Sequence, residues 1–110
     1  DGRSTIIDMG TLTRVVTLVM RIALATRDRH CRFPGCDRPV HWCEAHHVWA
    51  WEDGGPTRLD NLVLLCRRHH RRLHTPGWHA KLLPDATLET TDPHGIVRTS
   101  SPPSRPPPLW

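Results

Sequence analysis

The chain has no tyrosine, one phenylalanine and a single lysine, Lys81, among its 110 residues. Apart from its tryptophans, aromatic packing is excluded as the source of a core. Long apolar runs are also missing. The most hydrophobic stretch, Val15 to Ala25, contains Arg21 and is too short to cross a bilayer. No segment reads as a signal peptide, so the expected location is the cytoplasm, with no membrane partner. The chain opens on Asp1 rather than Met and is expected to be part of a longer protein.

What the chain does have is four Cys and nine His. A domain this small buries only about two-thirds of its unfolded surface and commonly needs a further staple. Without an export signal, the thiols read as reduced metal ligands rather than disulfides. The formal charge is +4 with a pI near 9.4, carried almost wholly by Arg. Arg suits bidentate phosphate contacts, so nucleic acid is a compatible partner.

Along the chain, Ile6, Ile7 and Met9 suggest a short strand. Thr17 is a good N-cap for a helix running to about Asp28, with Val19, Ile22 and Ala23 expected on its packed face. Cys31-Arg-Phe-Pro-Gly-Cys36 places two thiols around a tight turn. Val40 to Val48 reads as a strand, and Glu52 to Pro56 as a turn around Gly54-Gly55. Leu62 to Leu65 reads as a short buried strand. Cys66 to His74 has helical spacing, ended by Pro76-Gly77. Trp78 to Leu83 and Thr87 to Thr91 predict a hairpin, followed by a Pro/Ser-rich tail from Ser100. The expected divisions are 1–29 leading in, a core at 30–77, a hairpin extension at 78–99 and a flexible tail at 100–110. Trp42, Trp49 and Trp51 are expected in core and loop packing.

The segment Cys66 to His74 is the most informative. At about 100° per residue, Cys66, His69, His70, Leu73 and His74 share one broad face, and Arg67, Arg68, Arg71 and Arg72 share the other. Within the inner face, Cys66 and His69 point to one edge while His70 and His74 point to the opposite one. One helix thus supplies ligands to two sites. The first closes with the earlier thiols as Cys31, Cys36, Cys66 and His69, a set suited to tetrahedral structural zinc. Cys43 is left over, either as a small buried residue or as a substitute for an assigned thiol. The second site pairs His70 and His74 with the strand residues His46-His47. Alternation sends these two to opposite faces, so one can join a metal and the other is free to take a proton from water. Glu44 shares the strand face of His46, where it can orient a ligand imidazole or simply face solvent.

The order His46-His47, Gly54-Gly55, Asn61-Leu62 and Cys66-x2-His69-His70-x3-His74 resembles the HNH endonucleases. The flanking Arg27-Asp28, Cys31-Arg-Phe-Pro-Gly-Cys36 and Cys43-Glu-Ala-His-His47 resemble, more narrowly, the actinobacterial repeat-family proteins. Those carry an HNH domain near the C-terminus, behind a larger domain. The resemblance covers roughly Arg14 to Gly77. It implies a small α+β fold: a zinc-stapled, treble-clef-like ββα-metal core with an N-terminal helix and a C-terminal β-hairpin. It implies His46, His70 and His74 as ligands of a catalytic divalent ion (Mg, Mn, Ni or Zn), with His47 as the general base. Asn61 is implied to lock the loop between the strands. The implied partner is DNA, taken as double-stranded, with Arg67, Arg68, Arg71 and Arg72 as candidate phosphate contacts.

Two rival readings use the same residues: a zinc-stabilised module that binds nucleic acid without cutting it, and an interaction domain in which zinc serves folding alone. Neither has a use for His47 beside an open three-His site.

Overall fold

In the computed structural model, residues 13–103 are described; the expected strand at Ile6, Ile7 and Met9 and most of the Pro-rich tail lie outside them. Helix α1 (Leu18–Asp28) starts where the cap residue predicts, with Thr17 Oγ1 accepting from the Met20 amide at 3.2 Å. It stops at Arg29, whose left-handed φ of 62° turns its amide back to the Ala25 carbonyl. The packed face differs from expectation. Met20, Leu24 and Asp28 are buried, whereas Val19 and Ile22 are exposed and Ala23 is half-buried. Apolar content alone misplaced that face, because the buried row includes an aspartate.

Asp28 explains the choice. Its carboxylate accepts from Arg27 Nε at 2.7 Å, Arg32 Nη1 at 2.7 Å and the Leu64 amide at 3.0 Å. Both Asp28 and Arg32 have no exposed surface. Arg32 also donates to the carbonyls of Ala86 and Ser100, and Arg27 to those of Leu59 and Leu62. Buried charge is tolerated because each group is paired and hydrogen-bonded.

Strands β1 (Cys43–His47) and β2 (Leu62–Cys66) form an antiparallel pair in which Cys43 faces Cys66 and His47 faces Leu62. The expected strand from Val40 is shorter, since Val40–Trp42 forms a 3₁₀ turn. All five residues of β2 are buried, which is the continuous apolar run the sequence shows. Arg21 ties α1 to this pair by donating to the Cys43 carbonyl at 2.7 Å. Helix α2 (Arg67–Leu73) follows β2 directly, with Cys66 at its N-cap and His74 at its C-cap.

Beyond Gly77 the expected hairpin is a three-stranded antiparallel sheet, β3 (His79–Leu82), β4 (Leu88–Thr91) and β5 (Val97–Ser100). The third strand takes Ser100 out of the expected flexible tail. Leu88 is fully buried, and Trp78, Ala80 and Leu82 pack against the same core as β2 and α1. No helix among the described residues is long and apolar enough to cross a membrane.

Candidate metal centres

The β1–β2–α2 unit places two clusters of ligand-type side chains on opposite edges of one short helix. In the first, one ligand atom each from Cys31, Cys36, Cys66 and His69 lies within 4.8 Å of the others. His69 Nδ1 sits 3.6 Å from Cys31 Sγ and 3.4 Å from Cys66 Sγ. Tetrahedral zinc, with Zn–S near 2.3 Å and Zn–N near 2.0 Å, sets neighbouring S and N about 3.5 Å apart. The donor set and its spacing therefore fit zinc. Burial pushes the Cys31 thiol up. Burial opposes ionisation of Cys66 too, but hydrogen bonds from the His69 backbone and the Cys31 and Cys36 thiols outweigh it and draw Cys66 below the usual thiol range. The His69 ring stacks on Phe33 at 4.1 Å, which fixes its plane.

Cys43 stands outside this group. Its buried thiol is directed at the Pro39 carbonyl, 3.4 Å away, and burial raises it to about 11. Its place in the structure is that of a small buried strand residue.

The second cluster joins His46 of β1 to His70 and His74, with ligand atoms again within 4.8 Å. The three ring centroids form a near-equilateral triangle of 4.9, 5.1 and 5.0 Å. His46 is 5% exposed, and its buried Nδ1 has no hydrogen-bond partner. Burial, then the neighbouring His70, His74 and His47, pull its pKa down to about 3. It is a neutral imidazole with an unsatisfied buried nitrogen, which is what a metal ligand requires. His70 Nδ1 lies 2.8 Å from Glu44 Oε1. That hydrogen bond from His70 is the main reason the Glu44 carboxyl sits below its ordinary range. An ionised carboxylate can only accept, so His70 donates to it from Nδ1, which leaves Nε2 as the nitrogen available to a metal.

His47 is on the alternate side of β1, yet it lines the same cavity of about 150 Å³ as His46, His70 and His74. Its Nε2 is 2.9 Å from Thr57 Oγ1, and Thr57 donates its hydroxyl hydrogen to the Thr13 carbonyl. Thr57 can therefore only accept from His47. The neutral ring is held as the Nε2–H tautomer, leaving Nδ1 as a base. Burial lowers the His47 pKa, helped by Arg14 and opposed by Glu52.

Asn61, 8% exposed, pins the loop between the strands. Its Nδ2 donates to the Trp49 and Pro56 carbonyls at 3.0 and 2.8 Å, and its Oδ1 accepts from the Trp49 amide at 2.8 Å. Gly55 completes the loop, since a Cβ there would lie 1.8 Å from the Trp49 carbonyl oxygen.

Arg67, Arg68 and Arg71 are exposed, as expected. Arg72 is half-buried instead, its guanidinium over Phe33 at 5.6 Å and Trp78 at 6.0 Å. Of the tryptophans expected in core and loop packing, Trp42 and Trp49 are 55% and 56% exposed and so stand outside the core, while Trp51 is half-buried beside His47. The residues that sequence reasoning missed are Thr57, Arg14 and Glu52. Arg14 and Glu52 line the His47 cavity and pair at 3.4 Å. Their local sequence carries no signal, because each reaches the site through tertiary packing.

No solved structure matches the chain. It is 44% identical over 80 residues to the uncharacterized protein Rv3776 of Mycobacterium tuberculosis, covering 72% of this chain and 15% of that one. The uncharacterized protein Rv1702cMb1728c of the same organism is 36% identical over 92 residues, covering 80% of this chain and 20% of that one. The match thus spans only about a seventh of the first relative's length. Residues 31–75, which contain every ligand candidate of both clusters together with Glu44, His47 and Asn61, match the HNH endonuclease family model.

Proposed function

We propose that the protein is a metal-dependent DNA endonuclease that hydrolyses phosphodiester bonds and leaves 5′-phosphate and 3′-hydroxyl ends. The observation carrying this reading is the triangle of His46, His70 and His74 beside a fourth imidazole, His47, whose tautomer leaves Nδ1 free. A module that only bound DNA, or only folded around zinc, has no use for that fourth group.

His46, His70 and His74 would hold a divalent cation (Mg, Mn, Ni or Zn), which would supply stabilisation of negative charge at the phosphate and the leaving oxygen. His47 Nδ1 takes the proton from the attacking water, while Thr57 holds the opposite nitrogen so that the base does not rotate. Glu44 fixes the ring of His70. Asn61 holds the Trp49 backbone, and through it the turn that follows His47. The exposed Arg67, Arg68 and Arg71 are the candidates for contacts to DNA phosphates. Structural zinc on Cys31, Cys36, Cys66 and His69 contributes folding free energy. The narrower placement as a C-terminal HNH domain of the actinobacterial repeat-family proteins, in the bacterial cytoplasm, belongs to the same proposal and rests on the motifs Arg27-Asp28, Cys31-Arg-Phe-Pro-Gly-Cys36 and Cys43-Glu-Ala-His-His47.

The test is cleavage of supercoiled plasmid with Mg, Mn, Ni or Zn, wild type against His47→Ala. General-base loss should slow cleavage by about 10²- to 10⁴-fold. Equal rates for the two proteins with every metal would refute the reading.

A further inference from the structure

A second cavity, about 330 Å³, opens on the far side of His46 and His74 from Arg14 and Glu52. Its walls include Trp49, Trp78, Asp53 and His79. Trp78 and His79 lie outside the segment that matches the HNH endonuclease family, so this cavity belongs to how this chain packs its C-terminal sheet against the hairpin.

We propose that this cavity takes an unpaired nucleobase adjacent to the scissile phosphate, with Trp49 as its stacking platform. The proposal rests on the nuclease reading for the position of the phosphate.

Three observations carry it. First, Trp49 is 56% exposed but not loosely held. Asn61 bonds both its amide and its carbonyl, and Gly55 lies flush against that carbonyl. An apolar ring held in water by a fixed backbone is poised for a planar partner, and base–aromatic stacking accepts any nucleobase. Second, the rim carries Asp53, a carboxylate. It would repel a phosphate, yet it can accept from the amino groups of a base, and His79 adds a further polar partner. Third, the cavity adjoins the catalytic side, because His46, His47 and His74 line both spaces. On its other side Trp49 borders a depression lined by both Lys81, the only lysine of the chain, and Asp60. A volume near 330 Å³ lies at the small end of the ligand-pocket range of about 300–1,000 Å³.

The experiment uses the full chain with its structural metal and no added divalent ion, so that nothing is cut. Fluorescence anisotropy compares a fully paired DNA duplex with the same duplex carrying one bulged nucleotide. Wild type should bind the bulged duplex about tenfold more tightly, equivalent to about 1.4 kcal/mol. Trp49→Ala should lose that preference while keeping its affinity for the paired duplex, and Trp49→Phe should retain most of it. Trp42→Ala, which removes an equally exposed tryptophan outside the cavity, should keep it in full. Equal affinities for the two duplexes in wild type, or an undiminished preference in Trp49→Ala, overturn the proposal. Plasmid cleavage is scored separately. Cutting without a bulge preference removes the base pocket and leaves the nuclease, whereas a Trp49-dependent preference without cutting removes the nuclease and leaves the pocket.

Discussion

Replacing Asp28 by Ala should cost a large part of the fold's stability. The carboxylate is fully buried, and four donors converge on it: two from Arg27, one from Arg32 and the Leu64 amide. Its removal strands the Arg32 guanidinium, itself fully buried, and leaves a strand amide in the middle of β2 without its acceptor. Breaking one side of a buried pair costs about 3–5 kcal/mol, against a total of about 5–15 kcal/mol for a typical domain. At about 4–8 °C per kcal/mol, the melting temperature should fall by roughly 12 °C or more. The assay is urea unfolding followed by circular dichroism at fixed excess zinc, so that metal linkage is equal in all samples. The double variant Asp28→Leu with Arg32→Met carries no stranded Arg32 charge and should recover a substantial part of the loss. The reasoning fails if Asp28→Ala lies within about 1 kcal/mol of wild type, or if the double variant is no more stable than the single one.

Elemental analysis after mild chelation should find one resistant zinc per chain; Cys66→Ser should release it and lower the melting temperature sharply, since site and fold form together. Glu44→Gln should weaken metal binding at the three-His site by about 10- to 100-fold in calorimetry while the resistant zinc stays in place. For pH, the folded pKa of His46 near 3 lies below its ordinary value of 6.5. The unfolded chain therefore binds the proton more readily. The associated stability is complete above pH 6.5 and is lost as pH falls from 6.5 toward 3, which acid unfolding of protein without added divalent ion should show; in His46→Phe this dependence should shrink.

The parts of the site that were legible in the sequence are those written in local spacing. The pairs Cys66/His69 and His70/His74 divide by helical angle alone, and the structure brings each pair together with the partners expected. Thr17 as a cap and Leu62–Cys66 as a buried strand are equally local. What was not legible depends on tertiary partners. Val97–Ser100 lacks an apolar alternation, being mostly exposed, so only its pairing with β4 makes it a strand. The packed face of α1 was misjudged because a buried Asp28 is stable only when Arg27 and Arg32 arrive to meet it. Thr57 sets the tautomer of His47 from ten positions away, through a hydroxyl that no motif distinguishes. Composition does not say whether Trp49 packs in the core or on a loop; Asn61 holds its backbone in the loop and its ring is 56% exposed.

Helix α2 is only seven residues long, yet it carries ligand candidates for both clusters at neighbouring positions, His69 and His70. Its tolerance for changes in length follows from that. One residue inserted after His69 would rotate everything beyond it by about 100° and advance it about 1.5 Å. His70 and His74 would swing away from His46 while Cys66 and His69 stayed in place. Such a chain would keep the Cys31, Cys36, Cys66 and His69 cluster and lose the three-His cluster. Substitutions can weaken this segment by degrees, but a change in its length separates its two roles in a single step.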